Sequence, residues 1–220
     1  MVRLNASNPL AHARALIADL ALRETCCAGH GERVVVIAER IARRMGLSEH
    51  DVEAVRLAAE LHDLGKCEIP DAVLTSTASL DREAWDMISA HPTIGARMLA
   101  ESGDPALAEI APYVRAHHEY VCGKGYPDGL VGERIPLISR IIALADAYDA
   151  MSAPRPYRYA STHPRIMDVL SGEVGIRWDP QVFLAFQAVM QSDPSLAEKS
   201  PPPAIAVWGL SPAGDPAQPS

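Results

Sequence analysis

Five histidines and two aspartates stand out because they occur in apolar segments where such side chains are unusual: His30, His62, His91, His117, His118, Asp63 and Asp146. Asp63 lies between His62 and Leu64, and Asp146 follows a run of apolar residues. A carboxylate in such surroundings is costly unless it is paired or binds a cation. Imidazole and carboxylate ligands suit manganese, iron or zinc. The sequence therefore predicts a metal site.

The same donor set can serve two ions. One carboxylate has two oxygens and can bridge two cations, and metals about 3.5–4 Å apart can polarise a phosphodiester and activate the attacking water. A single histidine on a helix face is more often a packed or hydrogen-bonded residue than a ligand. That ordinary interpretation weakens for His117 and His118, because neighbouring residues on a helix point about 100° apart and rarely share one packing role.

The elements that must position these residues are predicted to be helices. Apolar residues recur at three- and four-residue steps over 34–45 and the pattern stops at Gly46, which is typical of a helix end. Ser48 is a good N-cap for a second helix that should run through His62, with Pro70 limiting its extent.

Four further helices are predicted from a capping residue or a proline near their starts, at Asp81, Pro92, Pro105 and Pro136. The third of them is expected to extend to His117, and the segment 123–132 is rich in glycine and should form a loop. No strand-like alternation persists for more than a few residues. The predicted fold class is all-α.

Composition narrows the functional classes. Twenty Lys and Arg against 28 Asp and Glu give a net charge of −8, which argues against binding a nucleic-acid polymer. The apolar stretch near the start is interrupted by charges, so neither a membrane span nor a signal peptide is expected. Cys26, Cys27, Cys67 and Cys122 form no regular framework, which favours free thiols in the cytoplasm.

The sequence is predicted to divide into three regions. We expect residues 1–24 to form a helical lead-in and residues 25–192 to form the functional domain. Residues 193–220 are rich in proline, serine and alanine and are expected to form a flexible tail.

The order of the motifs resembles one protein family. His62-Asp63-Leu64-Gly65-Lys66, then His117-His118-Glu119, then Gly125-Tyr126-Pro127 resemble the HDxGK, HHE and GYP segments of HD-GYP phosphohydrolases, and the likeness spans roughly 29–180. The resemblance implies a helical HD-domain bundle with a GYP loop. It also implies metal-dependent hydrolysis of the bacterial second messenger cyclic di-GMP to linear pGpG and, with further turnover, GMP.

The resemblance also implies roles for individual residues. One metal would be held by His30, His62, Asp63 and Asp146, and a second by His91, His117 and His118, with Asp63 bridging. Two divalent transition metals are expected, iron or manganese before zinc, nickel or magnesium. Asp63 and Lys66 would be catalytic, and the substrate would contact Lys66, Tyr126, Arg155 and Arg158.

Two features depart from the family pattern. Some members use a glutamate one turn before the first histidine to hold a third metal, whereas this chain has Cys26 there, which favours two metals over three. About 25 residues precede the motif region, too few for the sensor domain that many members carry. We therefore expect a stand-alone enzyme, or one that partners such as a diguanylate cyclase regulate.

Two other functions stay open from the sequence. The chain could hydrolyse a different cyclic dinucleotide, such as cyclic GMP-AMP. It could also be a non-catalytic effector that binds cyclic di-GMP, although the presence of all seven expected metal ligands argues against loss of activity.

Overall fold

A computed structural model describes residues 2–23, 29–76, 81–152 and 161–197. This part of the chain contains ten α-helices: α1 (Pro9–Arg23), α2 (His30–Arg44), α3 (Glu49–Leu61), α4 (Asp71–Leu74), α5 (Arg82–Ser89), α6 (His91–Ala100), α7 (Pro105–Arg115), α8 (Leu137–Ser152), α9 (His163–Gly172) and α10 (Pro180–Ser192). Three short 3₁₀ helices accompany them: Leu64–Glu68, Gly132–Arg134 and Pro194–Leu196.

The all-α prediction is confirmed. Within the described residues, extended pairing is limited to two isolated bridges, Cys122 with Val131 and Val174 with Trp178. None of the helices in these ranges combines the length and hydrophobicity needed to cross a membrane.

The predicted helix boundaries are confirmed where a local cap sets them. The Ser48 hydroxyl accepts a hydrogen bond from the Asp51 amide at 3.1 Å, and the Asp81 carboxylate accepts one from the Ala84 amide at 2.8 Å. Gly46 follows α2 with a φ of 77°, a left-handed conformation that favours glycine.

Two helices end earlier than the sequence pattern indicates. The prediction that α3 runs through His62 is wrong, because α3 ends at Leu61 and the chain turns into the 3₁₀ helix Leu64–Glu68. The turn presses the backbone of Gly65 onto the start of α6, where a Cβ atom would lie 2.0 Å from the His91 carbonyl oxygen. Likewise α7 ends at Arg115, so His117 lies in the turn that follows the helix.

The core is assembled around α8. This helix packs against α2, α3 and α10, and its residues Ile141, Ile142 and Leu144 are fully buried. Ile37 of α2 and Val55 of α3 join the same apolar cluster. Burial on most sides fixes the orientation of α8 and hence the direction in which its polar residues project.

Both ends of the described chain contact this core. Leu4 and Ala13 belong to the buried cluster, and Leu196 packs against it from the other end. Arg40 forms an ion pair with Asp193 at 2.7 Å. The beginning of the predicted tail, residues 193–197, therefore lies on the body, and its remainder lies outside the described residues.

Candidate metal centre

The seven predicted ligands meet in one place, and most of them come from helix ends. His30 and His91 are the first residues of α2 and α6. The turn after α3 carries His62 and Asp63, and the turn after α7 carries His117 and His118. Asp146 alone projects from the middle of a helix, α8.

The nitrogen and oxygen donors fall into two clusters. Ligand atoms of His30, His62 and Asp146 all lie within 4.8 Å of one another, and so do those of His91, His117 and His118. We call the first the mixed cluster and the second the imidazole cluster. Because the ligand atoms within a cluster lie this close, each cluster can bind one ion with small side-chain adjustments.

Asp63 lies between the two clusters. Its Oδ2 is 3.5 Å from His62 Nε2 and 4.0 Å from His30 Nε2, both in the mixed cluster. Its Oδ1 is 3.3 Å from His91 Nε2 in the imidazole cluster. One oxygen therefore faces each cluster, which is the arrangement that a bridging carboxylate requires.

Backbone hydrogen bonds orient three of the imidazoles. The Nδ1 atoms of His62, His91 and His117 each lie 2.6–2.7 Å from the carbonyl oxygen three residues earlier. A carbonyl can only accept, so Nδ1 carries the proton and Nε2 keeps its lone pair for a metal. Buried His62 Nε2 has no hydrogen-bond partner among the described residues, which fits a ligand atom.

The imidazole cluster favours neutral histidines. Burial lowers the pKa of His91 to about 3 and that of His118 to about 3. Burial also lowers the pKa of His117 well below its usual value, with the neighbouring His118 as a further cause. Neutral imidazole is the form that coordinates metals.

Asp149 and Arg33 brace the mixed cluster. Asp149 is completely buried and lies 2.8 Å from His30 Nδ1 through Oδ2. Arg33 donates to both Asp149 oxygens, at 2.7 and 2.9 Å. This ion pair fixes the His30 ring so that Nε2 approaches Asp146 Oδ1 at 3.3 Å.

The carboxylates around His30 change its titration. Burial disfavours the charged imidazole, but hydrogen bonds to Asp146 and Asp149 outweigh it and raise the pKa of His30 to about 10. Burial likewise opposes ionisation of Asp146, while its hydrogen bond with His30 lowers the Asp146 pKa far below the usual range. The carboxylates around His30 therefore favour a positive charge at this position, and a metal ion bound there would take the place of the imidazole proton.

Lys66 lies beside the carboxylate that joins the clusters. Its Nζ is 2.8 Å from Asp63 Oδ2. Burial opposes ionisation of Asp63, but the positive charge of Lys66 and the nearby imidazoles hold the Asp63 pKa well below its usual value. Lys66 reaches this position from the 3₁₀ turn, and not from the continuous helix that the sequence pattern indicates.

A loop held by hydrogen bonds to Glu119 places Tyr126 at the edge of the site. Its ring centroid is 4.9 Å from that of His118. The buried carboxylate of Glu119 accepts hydrogen bonds from the Asp128 amide at 2.6 Å and the Leu130 amide at 3.0 Å. The 123–132 segment is therefore an ordered loop whose shape depends on the hydrogen bonds of Glu119.

Next to the metal centre, a cleft of about 300 Å³ opens along α8 and α9. His118 and Asp146 line one part of it, and Glu173 and Arg177 line another. The cleft is large enough for part of a nucleotide to lie against the metal-facing side chains.

Three predicted residues lie outside the described ranges: Cys26, Arg155 and Arg158. Conversely, sequence reasoning did not assign roles to Asp149 and Arg33. A signal was available, because each lies three residues after a predicted ligand, Asp146 or His30, and therefore on the same helix face.

Comparison with known proteins identifies the family. Residues 14–182 match the HD domain family, and the chain belongs to it. Over 150 residues the chain is 41% identical to the cyclic di-GMP phosphodiesterase response regulator RpfG of Xanthomonas campestris pv. campestris, a match that covers 68% of this chain and 40% of that protein.

Two other relatives extend this result. The chain is 38% identical over 164 residues to 3′3′-cGAMP-specific phosphodiesterase 3 of Vibrio cholerae serotype O1, which covers 74% of this chain and 35% of that protein. The chain thus spans less than half the length of these two relatives. The solved HD domain of Listeria monocytogenes PgpH, in complex with cyclic-di-AMP, superposes with a TM-score of 0.60 at 17% identity, over 84% of this chain and 98% of that one. This last likeness supports the fold alone.

Proposed function

We propose that the chain is a metal-dependent phosphodiesterase that hydrolyses cyclic di-GMP to pGpG, to GMP or to both. The observation that carries the proposal is the pair of donor clusters joined by Asp63, with the Lys66 ammonium beside it. The name of the Xanthomonas relative supports the choice of substrate.

The donor set fits two divalent transition metals. In the proposed arrangement His30, His62 and Asp146 would hold one ion, His91, His117 and His118 would hold the other, and Asp63 would be shared between them. Two ions held there would supply Lewis acidity, which activates water for attack and stabilises negative charge on the phosphate. Imidazole and carboxylate ligands favour iron or manganese, with zinc, nickel and magnesium as alternatives.

The chain's own residues then handle the phosphate. Hydrolysis adds water to phosphorus, breaks the bond to the ribose 3′ oxygen and leaves a proton on that oxygen. Lys66 can donate to a non-bridging phosphate oxygen as negative charge develops there. Tyr126 closes one side of the site, and Arg155 and Arg158 are proposed to bind the second phosphate through bidentate guanidinium contacts.

A second cyclic dinucleotide is the alternative substrate. The Vibrio relative named a 3′3′-cGAMP-specific phosphodiesterase is nearly as similar to this chain as the Xanthomonas one. Both substrates carry the same pair of phosphodiesters, so the same metal centre would serve either.

One experiment tests the proposal. The full chain is purified without oxygen, loaded with Mn(II) or Fe(II), analysed for metal, and assayed with cyclic di-GMP and 3′3′-cGAMP by separation of the products. We expect two ions per chain and turnover of cyclic di-GMP in preference to 3′3′-cGAMP. Tight binding of cyclic di-GMP without turnover at full metal occupancy would instead assign the chain as an effector.

The metal count tests a further part of the proposal. Because Cys26 stands where three-metal family members are expected to have glutamate, we propose two ions, and Cys26→Glu should recruit a third. Three fully occupied sites in the unmodified protein would contradict this. A cytoplasmic location and regulation by a diguanylate cyclase are part of the same proposal.

A further inference from the structure

The cleft beside the metal centre is also lined by a charged pair that the proposed chemistry does not use. Arg177 and Glu173 line it together with Tyr120, whereas His118 and Asp146 line the part that adjoins the metal ligands. A nucleotide whose phosphate lay against His118 and Asp146 would therefore share the cleft with Arg177 and Glu173.

Arg177 is held in a defined orientation. Its Cζ lies 4.5 Å from the centroid of the Tyr120 ring, and its Nη2 donates to the Tyr120 hydroxyl at 2.6 Å. Its Nη1 donates to Glu173 Oε1 at 3.0 Å. The Arg177 carbonyl accepts from the Val121 amide at 3.3 Å, which ties the Arg177 backbone to the segment after the metal-ligand turn.

The pair offers donors and an acceptor next to each other. A guanidinium has five N–H groups, and two from Arg177 are used by Tyr120 and Glu173 within the described part of the chain. Glu173 meanwhile has a second carboxylate oxygen besides the one that accepts from Arg177. Side-by-side donors and an acceptor in a cleft constitute a hydrogen-bonding edge.

Guanine matches that edge better than phosphate does. Guanine presents the acceptors O6 and N7, which arginine binds bidentately, and it also carries N1–H and N2–H donors that a carboxylate accepts. Adenine has an amino donor where guanine has O6, so the same arginine contact is lost. A phosphate, by contrast, would be repelled by the Glu173 carboxylate.

We propose that Arg177, oriented by Tyr120 and paired with Glu173, forms a guanine-reading subsite in the cleft. This inference rests on the proposed function, because it assumes that a cyclic dinucleotide lies in the cleft. Arg177 determines specificity in this arrangement and takes no part in the bond-breaking step.

The experiment compares substrates across a short set of variants of the full, Mn(II)-loaded chain. Arg177→Met removes the charge at similar length, Arg177→Lys keeps the charge without the planar fork, and Arg44→Met removes an exposed arginine of α2 as a control. Each is assayed with cyclic di-GMP, cyclic di-AMP and bis(p-nitrophenyl) phosphate, a diester without a nucleobase. Thermal unfolding checks that each variant folds.

We expect the ratio of kcat/KM for cyclic di-GMP to that for cyclic di-AMP to fall about tenfold or more in Arg177→Met, as loss of one bidentate guanine contact predicts, and to fall less in Arg177→Lys, because an ammonium can still donate to guanine O6 and N7. The change should be mainly in KM. Relative to hydrolysis of bis(p-nitrophenyl) phosphate, activity on cyclic di-GMP should fall by a similar factor. Arg44→Met should leave these ratios as in the wild type.

Two results would overturn the subsite while leaving the proposed function intact. If Arg177→Lys behaves as the wild type and Arg177→Met loses both cyclic dinucleotides equally, Arg177 binds phosphate by charge. If neither variant changes any ratio, Arg177 is a surface ion pair. A wild-type chain that neither hydrolyses nor binds any cyclic dinucleotide would refute the proposed function and the subsite together.

Discussion

The two donor clusters are built in different ways. In the imidazole cluster, His91 and His117 are each oriented by a carbonyl three residues earlier in the chain, and burial keeps the imidazoles neutral. In the mixed cluster, His30 is oriented by Asp149, which is 119 residues away and is itself held by Arg33. The imidazole cluster therefore depends on local turns, whereas in the mixed cluster only His62 has such a local contact and the orientation of His30 depends on how α2 and α8 pack.

Because of this difference, the two clusters should respond differently to mutations that shift the helices. A local turn survives small movements of the helices, because the hydrogen-bond donor and acceptor move together. A long-range ion pair requires that two helices keep their relative position. We therefore expect changes around α8 to affect the mixed cluster selectively, whereas changes at Asp63 should affect both clusters.

The largest effect is expected for Asp63→Ala, which removes the carboxylate shared by the clusters. Both metals should be lost, and activity should fall by more than the 10²–10³-fold typical for loss of one transition-state contact. Elemental analysis and turnover measure this, with Asp168→Ala on the exposed face of α9 as a control. Retention of the metal in one cluster at full occupancy would show that Asp63 does not bridge.

Lys66→Ala should leave both clusters loaded and still reduce turnover. Loss of one charged contact to developing phosphate charge costs about 2.7–4 kcal/mol, or roughly 10²–10³ in kcat. Metal analysis and steady-state kinetics measure the two effects, and Arg44→Ala, which removes an exposed positive charge of α2, provides a control. Turnover close to that of the wild type would remove Lys66 from the mechanism.

Asp149→Asn should distinguish the clusters directly. The variant weakens the support of His30, and loss of such a supporting group typically reduces metal affinity about 10–100-fold. Metal titration should therefore show one weakened and one unchanged site. Ser139→Ala removes another buried hydrogen bond of α8, to the Tyr113 carbonyl, and should leave both sites unchanged. Equal weakening of both sites by Asp149→Asn would contradict the independence of the two halves.

The smallest effect is expected for Glu119→Gln, which should leave both clusters loaded and disturb the Tyr126 loop. One of the two acceptor oxygens becomes an amino donor facing a backbone N–H, which costs about 1–3 kcal/mol for a buried group. Faster hydrogen exchange over 123–131 and a higher KM should follow, with Glu133→Gln, exposed in the same region, as control. Unchanged exchange would show that the loop holds its shape without Glu119.

Much of the fold was predictable from local patterns. The apolar stripe of α2, the Ser48 and Asp81 caps and the proline near the start of α6 are properties of short segments, and the structure has them where the sequence predicts. The predicted ligands could be identified without coordinates, because their residue types are unusual in apolar helical segments. The structure brings these residues together. Their roles as ligands stay predictions that the metal analysis tests.

What the sequence determined by itself is therefore the set of chemical groups and the helices that carry them. Tertiary structure decided where those helices stop and how distant ones meet. Helix α3 ends at Leu61, Gly65 packs closely against the backbone of α6, and Lys66 approaches Asp63 from the 3₁₀ turn between these helices. The bracing of His30 by Asp149 and the approach of Arg177 to Tyr120 join residues 119 and 57 positions apart. Such contacts depend on the packing of whole helices, which no local pattern encodes.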